Sequence, residues 1–288
     1  MSEPDRRVVL ARHYLEVGRP LDALGTLERG GVDLEDTEVW SVRAEALFLL
    51  DRYHEGAAAA RDGLARDPDD VTLLDVLAMC ELEQGRLAEA ERALLAALEV
   101  WPEQTTLLAH YALLCARGAQ FEKAHRLLDE ASRLEPESVD VLRVRAQVSS
   151  LEGDRRRAKR DVDALLQADP EDLTANVLRA NSLVEQSDIR GAVKHFERAA
   201  RLDPGIEEIA HVTRHNRVLL HPLQWPIYPV QRFGAVKVWL TFVGLLVLFE
   251  VFGLWWLSLP LALLYLFMVF YSWTVAPLAR WWMSRRLR

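Results

Sequence analysis

The sequence predicts an all-α chain in two parts: a solenoid of stacked helical hairpins over residues 1–220, then an apolar two-helix hairpin over residues 235–279. Two observations carry this reading, a fixed internal period and a division of charge and hydropathy along the chain. Prolines recur at Pro68, Pro102, Pro136, Pro170 and Pro204, each 34 residues after the last. Self-similarity at such a period is the mark of a repeat architecture. The whole-chain values, a net charge of −8 and a mean hydropathy of −0.02, conceal the division. Residues 206–288 carry a net +5, which leaves −13 on residues 1–205.

Other columns keep the step of the prolines. Small residues recur at Ala44, Ala78, Ala112, Ala146 and Ala180, and at Gly56, Ala90, Ala124, Ala158 and Ala192. A third column runs Gly63, Ala97, Ala131, Leu165 and Ala199. Bulky columns run Trp40, Leu74, Leu108, Leu142 and Asn176, and Ala60, Leu94, Leu128, Val162 and Phe196. Apolar residues three and four apart, as in 73–78 and 89–98, make amphipathic helices. Small side chains at their crossing let two antiparallel helices approach, Gly85 and Gly153 open the turn between them, and the proline stops the second helix. One such hairpin cannot bury its apolar face alone, so the units must stack. The departures at Asn176, Gly56, Ala60 and Leu165 are expected to weaken individual packing contacts. An irregular Ala/Leu-rich bundle is the alternative, and five in-phase copies speak against it.

This pattern resembles the tetratricopeptide repeat family, with five units over residues 37–204 and a degenerate first unit over residues 4–34. Gly18 to Ala23 echoes Gly85 to Ala90 at a spacing of 67 rather than 68. Residues 207–220 read as a helix capping the stack. The resemblance implies a groove for a protein or peptide partner, lined by the first helix of each unit. Its positions are Glu38, Ser41 and Glu45; Thr72, Asp75 and Met79; Thr106, Ala109 and Leu113; Asp140, Arg143 and Gln147; and Thr174, Val177 and Asn181. Some family members clamp a C-terminal carboxylate with Lys and Asn in this groove. Here only Arg143 is basic, so an acidic tail would meet like charge, and a basic or neutral segment fits better. The acids could equally be ordinary solvated surface. A run at the start of a second helix, Arg155, Arg156, Arg157, Lys159 and Arg160, breaks the acidic trend. Cations there oppose the helix dipole, which leaves two readings, a site for anionic lipid or an acidic partner, and a solvated face paired with nearby acids.

Residues 221–234 hold Pro222, Pro226 and Pro229 with Trp225 and Tyr228, and read as a stiff juxtamembrane connector. The stretches 235–257 and 258–279 are each long enough to span a bilayer as a helix. They are expected as transmembrane helices joined between Gly253 and Pro260, with Trp255, Trp256, Trp281 and Trp282 in interfacial belts. Arg232 and Lys237 precede the first, and Arg280, Arg285, Arg286 and Arg288 follow the second, a basic tail over 280–288. The positive-inside rule puts both ends in the cytoplasm, at a plasma or inner membrane. The first residues lack the apolar core of a secretory signal, which predicts the same side for the repeats.

Glu250 is the ionisable residue deep in the apolar region, and a fold near Leu257 would set it opposite Tyr265. Partner recognition in the bilayer, a tolerated protonated side chain and proton or ion conduction remain open as its role. Glu208, His211 and His215 share one helix side, but nothing completes a tetrahedral metal site. Cys80 and Cys115 read as small core residues in a reducing compartment. A net −13 on the front part disfavours nucleic acid. No phosphate loop, HExxH or GxSxG motif is present, so neither catalysis, a cofactor nor a small-molecule substrate is expected. The sequence thus predicts a membrane-anchored scaffold or assembly factor for a membrane-associated protein. The alternative is an accessory subunit of a membrane transport or channel complex that uses the hairpin and Glu250.

Overall fold

The computed structural model describes residues 3–29, 35–186, 188–203, 205, 209, 212 and 234–286. Every regular element among them is an α-helix. The chain divides into two compact units, Met1–Asp169 and Pro170–Arg288.

The first unit holds five helical hairpins: α1 (Glu3–Glu16) with α2 (Pro20–Glu28), α3 (Thr37–Leu49) with α4 (Tyr53–Leu64), α5 (Val71–Glu83) with α6 (Leu87–Val100), α7 (Thr105–Arg117) with α8 (Phe121–Leu134), and α9 (Val139–Glu152) with α10 (Arg155–Ala168). First helices stack on one another in chain order, and each second helix up to α8 also packs on the first helix that follows it. The degenerate first unit is therefore a full hairpin. Its turn residue Gly18 has φ +71, matching Gly85 at +74 and Gly153 at +81. The same turn position is filled by Asp51 and Ala119, both at φ +58, a left-handed conformation held without glycine.

Both ends of the helices follow from local chemistry. Trp101, Glu135, Asp169 and Asp203 end their helices with φ between −130 and −136 and extended ψ. Each precedes a proline of the periodic column, whose ring disfavours helical geometry in the residue before it. Asp36, Asp70 and Ser138 cap α3, α5 and α9 by accepting a backbone N–H. Gln104 holds the equivalent place before α7 without capping it, and its Oε1 is buried with no partner.

The alanine columns form the inside of the array. Ala44, Ala78, Ala112, Ala146, Ala90, Ala124, Ala97 and Ala131 are all fully buried. Two of the departures expected to weaken packing, Gly56 and Asn176, are matched by their surroundings. Trp40 is the largest member of its column, and Gly63 faces it. A Cβ on Gly63 would stand 2.8 Å from Trp40 Cβ and 2.6 Å from Leu73 Cδ1. Likewise a Cβ on Gly56 would meet Cys80 Sγ at 2.9 Å. Polar ties join the layers. Glu81, only 1% exposed, is held by Arg61 of α4 and by Arg86 at 2.5 Å. Arg145 of α9 donates to Asp129 Oδ1, Leu128 O and Ser132 Oγ of α8.

The second unit contains a sixth hairpin, α11 (Leu173–Glu185) with α12 (Ile189–Leu202), and an apolar pair, α13 (Ala235–Val251) with α14 (Trp255–Arg286). In the sixth hairpin Asn176 replaces a bulky apolar residue and is fully buried. Its amide donates to Pro170 O and Asp172 O, and its Oδ1 accepts from His195 Nδ1 at 3.0 Å. Burial pushes the His195 pKa down, and the charges of Arg179, Arg198 and Lys194 push the same way, so this imidazole favours its neutral form.

The apolar pair departs from its predicted bounds. Gly253 has φ +70 and reverses the chain over residues 252–254, so α13 stops at Val251 rather than at 257, and Pro260 lies inside α14. Among the described residues no helix is long and apolar enough to cross a membrane. The expected capping helix over 207–220 (Ile209 and Val212 apart), the connector over 221–233, Glu208, His211 and His215, and the side chains of Trp255, Trp281 and Trp282 lie outside what is described.

Gly63→Ala should lower stability by about 1–3 kcal/mol through overpacking against Trp40 and Leu73, read as a shift in urea midpoint with unchanged slope. Gln104→Ser should raise it by about 1 kcal/mol by supplying the missing cap, seen in the same titration.

Candidate groove on the first helices

The groove positions sit on α3, α5, α7 and α9 of the first unit and on α11 of the second, as the register requires. In the first unit the structure joins several of them into one electrostatic row. Arg12 of α1 donates from Nε to Glu38 Oε1 at 2.9 Å. Arg12 and Asp75 both act on the Glu45 carboxyl, which places these three side chains together. Asp75 Oδ1 lies 2.6 Å from His110 Nδ1 on α7. Arg12, Glu38, Glu45, Asp75 and His110 thus run across four successive first helices.

Glu45 is the strained member of the row. Burial raises its pKa above the ordinary carboxylate value; Arg12 pulls it down, and the Asp75 charge raises it further. A half-buried carboxylate kept next to a second acid gains free energy from any cation that approaches. Met79 lies half-buried beside it in the register, packed against the core of the neighbouring hairpins.

Other predicted positions behave differently. Ser41 is buried and donates its hydroxyl to Glu38 O, so it lines no open surface. Arg143, the one base among the groove positions, is paired with Asp140 one turn back. Gln147 is half-buried, and Asn181 is exposed on α11. The groove is therefore acidic at α3 and α5 and close to neutral at α9.

Two members of the row were missed by sequence reasoning. Arg12 occupies the column of Glu45 and Met79, but the first repeat is one residue shorter and shifts it out of the 34-residue step. His110 stands one place beyond the groove column, next to Ala109, and only the stacking of α7 on α5 brings it to Asp75.

The basic run on α10 is divided by the structure. Asp154 caps the helix, accepting from the backbone N–H groups of Arg156 and Arg157, which hold its pKa down. Arg157 turns to Glu152 Oε2 at 2.9 Å, and His125 lies 2.9 Å from the same oxygen. The hydrogen bond from His125 is the main cause that lowers the Glu152 pKa. Arg155, Arg156, Lys159 and Arg160 are exposed.

On the apolar pair, Tyr265 packs its ring on Phe242, with centroids 5.0 Å apart. Glu250 is not its neighbour: it lies eight residues further along α13, about 12 Å at helical rise, and is exposed. The early reversal at Gly253 explains the shift. Cys80 and Cys115 are buried free thiols, and burial pushes Cys80 up to about 12 and Cys115 upward, which leaves both unreactive.

With this arrangement in view, the comparisons are consistent. Residues 42–105 and 152–205 match the tetratricopeptide repeat family. A thermophilic tetratricopeptide repeat protein from Thermus thermophilus superposes with a TM-score of 0.57 at 17% identity, over 64% of this chain and all of that one. PilW, a type IV pilus biogenesis factor, gives 0.54 at 18% identity, over 74% of this chain and 99% of its own. The pilF protein of Pseudomonas aeruginosa gives 0.50 at 20% identity, over 74% and 97%. No curated protein matches the chain. At these identities the likeness establishes the α-solenoid fold and nothing finer.

The sign of the Glu45 shift makes a stability prediction. A carboxyl whose folded pKa is raised favours folding while it is protonated, below its unfolded value near 4.3, and that contribution is lost as pH rises through the folded pKa. Glu45→Gln should therefore raise the thermal midpoint at pH 7 and have little effect at pH 4, as measured by calorimetry.

Proposed function

We propose that this chain is a membrane-seated adaptor that holds a basic or uncharged protein segment on the first-helix face of its repeats. The observation that carries the reading is the desolvated Glu45 carboxylate beside Asp75. Such a pair is costly in the free protein and is relieved by a Lys or Arg side chain from a partner. The repeat fold supports the same class of function, since its surface presents rigid helices without catalytic motifs. PilW and pilF show the fold in full-length overlap, and PilW serves pilus biogenesis. An assembly role for this chain rests on that analogy and on the groove.

Seating at a membrane is supported by the apolar pair. Val236, Leu240, Val247, Val251, Trp256, Leu259, Leu266 and Phe270 are all more than half exposed, along one side of α13 and one side of α14. Glu250 is the sole charge from Val238 to Ala279. Hydrocarbon is the solvent that suits such a surface. The 17 residues of α13 reach about 25 Å, short of a hydrocarbon core of about 30 Å, and local thinning or a snorkelling Lys237 would make up the difference. The basic flanks set the repeats and the C-terminus on the cytoplasmic side of a plasma or inner membrane. Seating raises the effective concentration of the groove for membrane-bound partners.

A fluorescent Lys/Arg-rich peptide should bind the full chain more tightly than a Glu-rich one, and added salt should weaken it. Glu45→Gln/Asp75→Asn should reduce that affinity by about 10-fold, the loss of one or two charge pairs. Equal binding of both peptides would remove the groove reading. Release of the chain from isolated membranes by alkaline carbonate would remove the seating.

A further inference from the structure

We propose that the exposed basic face of α10 is a docking surface for anionic lipid headgroups. The start of α10 differs from the other second helices of its unit. In α2, α4 and α6 the residue before the helix is an arginine, and an acid follows in the first turn: Arg19 with Asp22, Arg52 with Glu55, and Arg86 followed by Glu89. In α10 the polarity is reversed. Asp154 precedes the helix, and the first turn contains no acid.

Asp154 is consumed by the backbone, and Glu152 takes Arg157 together with His125. Arg155 and Lys159 lie one helical turn apart, as do Arg156 and Arg160, and all four are exposed. They cover one continuous face, bounded at its far end by Asp163. Cations gathered at the positive end of a helix dipole repel one another and the helix, and an anionic surface removes that cost.

The lipid surface is favoured over an acidic protein by the rest of the chain. The apolar pair α13 and α14 already calls for a bilayer, and a tethered basic face then meets headgroups at high effective concentration. A patch that reads flat charge needs no pocket. This inference rests on the membrane seating proposed above, and the two can fail separately.

The test is flotation of the full chain with vesicles of neutral phosphatidylcholine and with vesicles doped with phosphatidylserine. The wild type should bind the anionic vesicles at least about 10-fold more tightly, with the difference vanishing at high salt. Arg155→Gln/Arg156→Gln/Lys159→Gln/Arg160→Gln should lose that preference and keep its binding to neutral vesicles. A variant with Arg155, Arg156 and Arg160 changed to Lys should retain the preference, which separates charge from folding. Equal binding of the wild type to both vesicles, or a preference that survives in the Gln variant, overturns the headgroup surface and leaves the seating intact. Binding to neither vesicle overturns both. Equal binding of the wild type to both vesicles, together with capture of poly-glutamate that the Gln variant loses, would assign the face to an acidic polypeptide instead.

Discussion

The repeat array depends on how closely two helix backbones can approach. Alanine or glycine at the crossing points lets each second helix lie against its own first helix and, up to α8, against the next one, within the spacing that packed helices can reach. With larger residues at Ala44, Ala90 or Ala124 the helices would separate, and the leucines between them would lose the contacts that bury them. No hairpin of the first unit has a core of its own. Two clusters of buried residues run through the first unit, one centred on Trp40 and one on the leucines of α5 to α9.

That constraint explains which exceptions the array tolerates. Trp40 fits because Gly63 gives way opposite it, and Cys80 fits because Gly56 does. Volume is exchanged between neighbouring columns rather than lost from one. Polar exceptions obey a parallel rule, in which a buried group brings its partner with it. Glu81 carries Arg61 and Arg86, and Asn176 carries His195. Glu45 departs from the rule, since burial outweighs the one cation beside it, and for that reason it marks a surface rather than a core.

The fold was legible where a backbone constraint repeats. A proline every 34 residues disfavours helical geometry in the residue before it, so the ends of α6, α8, α10 and α12 could be read directly, while α4 stops earlier, at Leu64. The acidic groove positions Glu38, Glu45 and Asp75 were legible for the same reason, as columns in a fixed step. What escaped were pairings between columns. Arg12 was hidden by a repeat one residue short, His110 by its place beside the groove column, and the Asn176–His195 pair by 19 residues of separation. In the apolar pair composition gives no phase, because both helices are apolar throughout. There the turn depended on the single glycine at 253, and the predicted partner of Glu250 moved with it.

The hydrogen bond between His195 and Asn176 makes the sixth hairpin chemically unlike the others. The part-buried His195 imidazole resists protonation, through desolvation and through the charges of Arg179, Arg198 and Lys194. Protonation of His195 therefore costs more in the folded hairpin than in the unfolded chain, so acidification lowers the stability of this hairpin. Hairpins built on leucine and alanine alone have no such response. The array thus carries one hairpin whose stability follows pH in a way that leucine and alanine packing does not.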